Sequence, residues 1–190
     1  MKIYFSAPIK GVEEIEKNLS SIYNHISKLG HKHLDDFTVR LKEGVQFYDR
    51  MSEGGTSSRK TFFDKTIVNI KQADIVIFEG TVPSLGVGFQ IEKALDYNKP
   101  TIVLYLKGNM PNFLAGTEHD KLMLREYTDE TLLSVIESSI EEAKHASDKR
   151  FNFFISPQLL TYLQEESDRN GMTKSSFIRK LILEHKKRSK

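Results

Sequence analysis

The segment TVPSLGVGFQIEKA, Thr81 to Ala94, places a hydroxyl at Ser84, glycines at 86 and 88 and an amide at Gln90, around the start of an apolar helical pattern. Glycines at a loop-to-helix junction let a ligand come close to backbone N–H groups, and a helix N-terminus favours an anion. Phosphate or sugar binding is the chemistry these residue types allow, although a loop that merely turns the chain uses them equally well. The Lys-Ser/Thr pair of a P-loop is missing, and the spacing of the dinucleotide fingerprint is incomplete. Gln90 can donate and accept hydrogen bonds but carries no charge, which makes it a very weak nucleophile. His31 and His33 share a strand face with no acidic or third histidine partner, so they read as polar strand-end residues, not as metal ligands. The chain has no cysteine, which excludes disulfide scaffolds, thiolate metal sites and cysteine nucleophiles. No metal and no cofactor is expected.

These residues need a scaffold. Lys2–Pro8 has a strand-like apolar core, and Val12, Ile15, Leu19, Ile22, Ile26 and Leu29 then recur at the steps of an amphipathic helix closed by Gly30. A short second strand is expected over His31–Leu34. Residues 35–60 show little periodicity, and Ser52–Lys60 reads as a mobile loop. A helix follows over about Lys60–Gln72, with Phe63, Ile67 and Ile70 inward. Ala73–Gly80 and Lys99–Leu106 are buried strands of parallel type, separated by the glycine-bearing loop and a helix to about Tyr97. Lys121–Tyr127 is a further strand and Asp129–His145 a closing helix with Leu132, Leu133, Ile136 and Ile140. This rhythm predicts an α/β fold, a Rossmann-like parallel sheet with helices on both faces. Such sheets bind ligands beyond the carboxyl ends of their strands, where Ser6–Gly11 and Glu79–Gly88 fall.

Composition shifts at Lys144–Arg150, and residues 150–190 read as a small second module. They hold nine Lys or Arg against four Asp or Glu, whereas residues 1–149 hold 19 against 22, an asymmetry that favours an anionic partner for the tail. A strand with Phe151, Phe153 and Ile155 on one face precedes a helix started by Pro157 and marked by Leu159, Leu160 and Leu163. A second helix capped by Thr173 carries Phe177, Ile178, Leu181 and Ile182. Forty residues with a single strand cannot bury a core alone, so pairing with a second copy is implied. The longest apolar runs are too short to cross a bilayer, and the N-terminus does not read as a signal peptide; no membrane association and a cytoplasmic location are expected.

Taken together, IYFSAPIKG and QADIVIFEGTVPSLGVGFQIEKALDYNKPTIVLY resemble the nucleoside 2-deoxyribosyltransferase family, in particular its branch of 2′-deoxynucleoside 5′-monophosphate N-glycosidases. The resemblance covers roughly residues 1–140 and implies a nucleotide-binding domain over 1–146. In that family a glutamate in the first turn of this helix attacks the anomeric carbon, and an aspartate from the preceding helix assists. The resemblance carries substrate contacts onto Tyr4, Lys10, Ser84, Gly86 and Gly88, beside Ser6 and Gly11 of the first strand's loop. It carries the nucleophile onto Gln90 and the assisting acid onto Thr66, so both acidic functions are missing. An oxocarbenium-like transition state needs a nearby carboxylate. Glu79 and Asp64 are the candidate substitutes, while Glu92 should face away from the site.

Residues 149–187 look like a ribbon-helix-helix domain of the Arc/MetJ type. That resemblance implies a homodimer or higher even-numbered homo-oligomer that lays a two-stranded ribbon in the DNA major groove. It points Arg150, Asn152 and Phe154 at DNA, with backbone N–H groups at Thr173–Ser175 and the charge of Lys174 on a phosphate. A module used only for dimerisation or protein binding fits the same pattern. The combined expectation is a ligand-responsive regulator: a transferase-like body that binds a nucleotide or nucleoside without its usual acids, joined to a dimeric DNA-binding tail. The alternative is an active N-glycosidase or deoxyribosyltransferase on (deoxy)nucleoside monophosphates, with the tail used for oligomerisation.

Overall fold

Strands and helices alternate along the chain as β1 (Lys2–Ser6), α1 (Glu16–Lys28), β2 (Lys32–His33), α2 (Phe37–Glu43), α3 (Val45–Glu53), α4 (Gly55–Gln72), β3 (Ile75–Glu79), α5 (Leu85–Asp96), β4 (Thr101–Leu106), α6 (Asn112–Ala115), β5 (Leu122–Tyr127), α7 (Leu132–Ala146), α8 (Pro157–Arg169) and α9 (Lys174–Arg188). The structure, a computed structural model, describes residues 1–146 and 153–189. The chain divides into two compact units, Met1–Asp148 and Lys149–Lys190. Among the described residues no helix is long and apolar enough to cross a membrane.

The first unit is built on one five-stranded sheet of order β2-β1-β3-β4-β5, with every neighbouring pair parallel. Parallel strands are joined by crossovers, so both sheet faces are covered and the central strands are apolar on both sides. All five residues of β3 are buried. Ile75 and Ile77 join Leu19, Ile22 and Ile26 of α1 and Ile136 and Ile140 of α7 on one face. Val76 and Phe78 join Ile70 of α4 and Ile91 and Leu95 of α5 on the other. Each large apolar side chain buried this way contributes about 1.5–3 kcal/mol.

The strand order reverses at β1. The chain leaves β1 through α1 to β2 on one side, then returns through α2, α3 and α4 to β3 on the other. The loops after β1 and β3 therefore diverge over opposite faces and leave a crevice between them. Gly11, at φ +69°, bends the first loop back until an added Cβ would lie 3.7 Å from Val82 of the second.

Residues 35–60 depart from the sequence expectation. They form α2, α3 and the first turns of α4, and Ser52–Lys60 is almost wholly helical, broken at Gly54–Gly55, where Gly55 takes φ +62°. The apolar period is weak here because these helices pack on one another through few aromatic contacts, such as Phe47–Phe62 at 5.2 Å, and α3 buries no residue fully. Phe63 is not inward but half-exposed against Phe89, at 6.0 Å between ring centroids. Leu133, expected inward on the closing helix, is also exposed.

In the second unit, Ser156 and Thr173 cap the two helices by accepting from the Leu159 and Ser176 N–H groups. Residues 153–156 are not in a strand; a ribbon there needs a paired neighbouring strand. Phe151, Arg150 and Asn152 lie outside the described residues. Leu163 and Phe177 are buried between the helices, but Leu159, Leu160, Leu181 and Ile182 are exposed.

Gly80 gives the fold a sensitive point. Its N–H donates to Leu104 O at 2.8 Å, and a Cβ there would sit 2.9 Å from Val103 Cγ1. Gly80→Ala is expected to cost about 1–3 kcal/mol by overpacking, measured by urea unfolding; an unchanged midpoint would count against this packing.

Candidate functional site

Tyr4 stands in the middle of β1, paired in register with Val76, on the sheet face covered by α4 and α5. It is completely buried, and its hydroxyl donates to Gln90 Oε1 of α5 at 2.9 Å. Burial raises the Tyr4 pKa, while the positive charge of Arg40 and hydrogen bonding with the Ser6 and Thr66 hydroxyls oppose the shift. The phenol is neutral at ordinary pH and has its proton to donate. With Oε1 accepting from Tyr4, the part of the Gln90 amide left for a ligand is its N–H₂ group. Tyr4, Ser6, Thr66 and Gln90, apart by up to 86 residues in sequence, thus meet at one point beside the strand-order reversal.

The loop of α5 is organised from within. Ser84 is its N-cap, accepting from Val87 N–H at 3.4 Å. Gly86 and Gly88 lie in the first turn with ordinary negative φ, and a Cβ on Gly88 would meet no protein atom within 4 Å. Nothing in the backbone or the packing requires glycine at 88. Lys10 is exposed and its Nζ lies 4.6 Å from the centre of the Tyr48 ring of α3, a cation–π contact on the β1 side of the crevice.

Glu79 does not reach this site. Residues 75, 77 and 79 share one face of β3, opposite to that of Tyr4, because strand side chains alternate. Its carboxylate is fully buried, accepts from Thr81 N–H and the Thr81 hydroxyl, and accepts from Tyr127 Oη at 3.0 Å. Thr81 Oγ1 in turn accepts from Leu106 N–H at 2.8 Å, so Glu79 ties the ends of β3, β4 and β5 together. Asp64 also fails as a substitute acid: it is exposed on α4, whereas Thr66, Asn69 and Ile70 are buried.

The charged groups beside Tyr4 come from a segment whose sequence offered no clear period. Arg40 of α2 is 9% exposed, on the face it shares with buried Phe37 and Leu41, and its Nη2 lies 2.6 Å from Asp35 Oδ2. A basic residue on a helical stripe with Phe37 and Leu41 was the signal that could have revealed it. In the tail, Phe154 is fully exposed, the Thr173 hydroxyl is engaged in capping α9, and Lys174 Nζ donates to Gln164 Oε1 at 2.7 Å.

Among known proteins, a 5-hydroxymethyl-dUMP N-hydrolase of Tetraodon nigroviridis is 25% identical over 150 residues, 76% of this chain and 100% of the relative. A Thermofilum pendens protein carrying the provisional name 2′-deoxynucleoside 5′-phosphate N-hydrolase 1 is 27% identical over 147 residues, 75% of this chain and 90% of its own. Three quarters of this chain is similar to the deoxynucleotide N-hydrolase family. The CMP N-glycosidase BcmB of Clostridium botulinum shares the fold, with a TM-score of 0.50 at 15% identity over 72% of this chain and 99% of that one. No family model matches the chain.

Burial raises the Glu79 pKa above its ordinary value near 4.5, against the opposing hydrogen bonds from Thr81 and Tyr127. The folded state then keeps a proton that the unfolded chain has released, so this group's contribution falls as pH rises from about 4.5 through the raised value and is level above it. The stability of Glu79→Gln relative to the unsubstituted protein should therefore improve as pH rises over that window, by urea unfolding at several pH values. A constant difference would contradict it.

Proposed function

We propose that the first unit binds a nucleoside 5′-monophosphate in the crevice between the β1 and β3 loops and releases its base slowly or not at all. The observation that carries this is the Tyr4–Gln90 hydrogen bond. It sets a neutral amide, fixed by a neutral phenol, at the position where the resemblance calls for a nucleophilic carboxylate. Lys10, Gly11 and the N-terminal turn of α5 suit the phosphate, through a cation and free N–H groups. Gly86 and Gly88 leave room for the sugar to approach the backbone, and the Gln90 amide donates to a sugar oxygen. The names of the relatives support the substrate class.

Those names also support a second reading, in which this chain hydrolyses the N-glycosidic bond itself. Its acid would have to be one other than Gln90, Thr66, Asp64 or Glu79, and Asp35 is the carboxylate whose charge bears on Tyr4. Calorimetry with ribo- and deoxynucleoside monophosphates should give binding, and chromatography should find little free base. Gln90→Glu combined with Thr66→Asp should raise base release by about a hundredfold or more, as restoring a nucleophile and its partner requires. Absence of binding at millimolar ligand sinks the site; rapid release by the unsubstituted protein establishes the second reading.

For the tail, we propose pairing with a second copy, as a ribbon-helix-helix module would; its sparse burial supports the pairing. Two buried apolar side chains contribute a few kcal/mol, against about 1–2 kcal/mol of backbone ordering for every residue. Exposed Leu159, Leu160, Leu181 and Ile182 offer the additional surface, and the basic last turn of α9 suits DNA phosphates. Light scattering of the full chain should report an even-numbered assembly, and gel mobility of DNA fragments a salt-sensitive complex. A monomer at micromolar concentration overturns the pairing, and unchanged DNA mobility leaves assembly as the tail's role.

A further inference from the structure

Asn69 is a buried polar side chain without an internal partner. It stands on α4, 8% exposed, one turn after Thr66 and on the same buried face. Its amide makes no hydrogen bond among the described residues. Asn18, equally buried, donates to Asp129 Oδ1 at 2.9 Å. An amide left unpaired in an interior is a cost that the fold itself does not explain. The unbonded His33 Nδ1, Arg40 Nε and Arg40 Nη2 are closed to water, but the Asn69 amide is not among the closed atoms. It lines a cavity of about 260 Å³ between α2, α3 and α4.

The cavity's walls limit what can enter. Phe47 and Phe62, with ring centroids 5.2 Å apart, give it an apolar side. The cations at its wall are each set against a carboxylate, Arg40 and Lys65 against Asp35 and Arg50 against Glu43, which leaves none for a phosphate. A neutral planar ring suits such walls. The volume is below the roughly 300–1,000 Å³ of pockets that enclose a whole drug-sized ligand, so there is room for a ring system and not for a complete nucleotide. Thr66 belongs both to this cavity and to the hydrogen-bonding group around the Tyr4 hydroxyl, so the cavity adjoins the Tyr4–Gln90 pair.

We propose that this cavity receives the base of the bound nucleotide and that the Asn69 amide holds it by one edge. The amide carries a donor and an acceptor side by side. Each common base offers the complement: N6–H₂ beside N1 or N7 in adenine, N4–H₂ beside N3 in cytosine, N1–H beside O6 in guanine and N3–H beside O4 in uracil. A sugar phosphate without a base offers nothing to this residue. The proposal rests on the nucleotide-binding reading and adds to it the residue that makes the ligand a nucleotide.

Calorimetry of the full chain with AMP, GMP, CMP and UMP beside ribose 5-phosphate separates base contacts from sugar and phosphate contacts. At least one nucleotide should bind about tenfold or more tightly than ribose 5-phosphate. Asn69→Leu keeps the volume and removes both polar atoms; it should weaken that nucleotide about tenfold and leave ribose 5-phosphate within about twofold. The same variant, free of ligand, should unfold at a higher urea concentration, since an apolar side chain replaces an unpaired amide. An amide that served only the fold would move that midpoint down and leave the affinities alone. Should Asn69→Leu fail to fold by circular dichroism, Asn69→Ala is expected to give the same split between nucleotide and ribose 5-phosphate. Nucleotide affinity unchanged in the folded variants, or lost in step with that for ribose 5-phosphate, overturns the assignment of Asn69. Binding of neither the nucleotides nor ribose 5-phosphate overturns the nucleotide reading beneath it.

Discussion

The reversal of strand order at β1 governs the rest of the molecule. A parallel neighbour on each side obliges the chain to cross over one face of the sheet after β1 and over the other after β3. Helix α1 is thereby placed with α7, and α5 with α4, and the loops leaving β1 and β3 set out toward opposite faces. The crevice between them is a consequence of connectivity. Tyr4 reaches Gln90 because β1 offers one side chain in two to the α4/α5 face, and residue 4 has that parity.

The same alternation separates two polar groups that look equivalent along the chain. Glu79 and Gln90 flank one loop, eleven residues apart, yet Glu79 points into the α1/α7 side and Gln90 into the crevice. Buried among Thr81, Tyr127 and apolar side chains, Glu79 is held by hydrogen bonds that link three strand ends. Its chemistry is spent on the architecture that carries the α5 loop. What meets at the Tyr4–Gln90 contact is neutral: a phenol kept protonated by burial, an amide and two hydroxyls. Such a group set orients a ligand through hydrogen bonds and offers no anion to stabilise a developing oxocarbenium charge.

The strands β1, β3, β4 and β5 and the helices α1, α5 and α7 could be read from the chain because each buries a stripe or a continuous run, which leaves a period in the sequence. The family resemblance pointed to Tyr4, Ser84 and Gln90 through their positions relative to those elements, and the structure places Tyr4 against Gln90. The helices of residues 37–60 left almost no period. They cover one another through single aromatic rings and an Arg40–Asp35 pair, and α3 has no fully buried residue to mark its face. Arg40 and Asp35 escaped with them.

From residue order alone followed the parallel α/β plan and the loop at the mouth of the sheet. Local periodicity and residue chemistry suffice for these, because they depend on near neighbours in the chain. The fate of Glu79, the Tyr4–Gln90 hydrogen bond and the burial of the Arg40–Asp35 pair needed the folded structure. Each depends on which face of a strand or helix meets a partner tens of residues away, and on how much water is left there. A side chain's pKa and its hydrogen-bonding partners are properties of that enclosure, not of the residue.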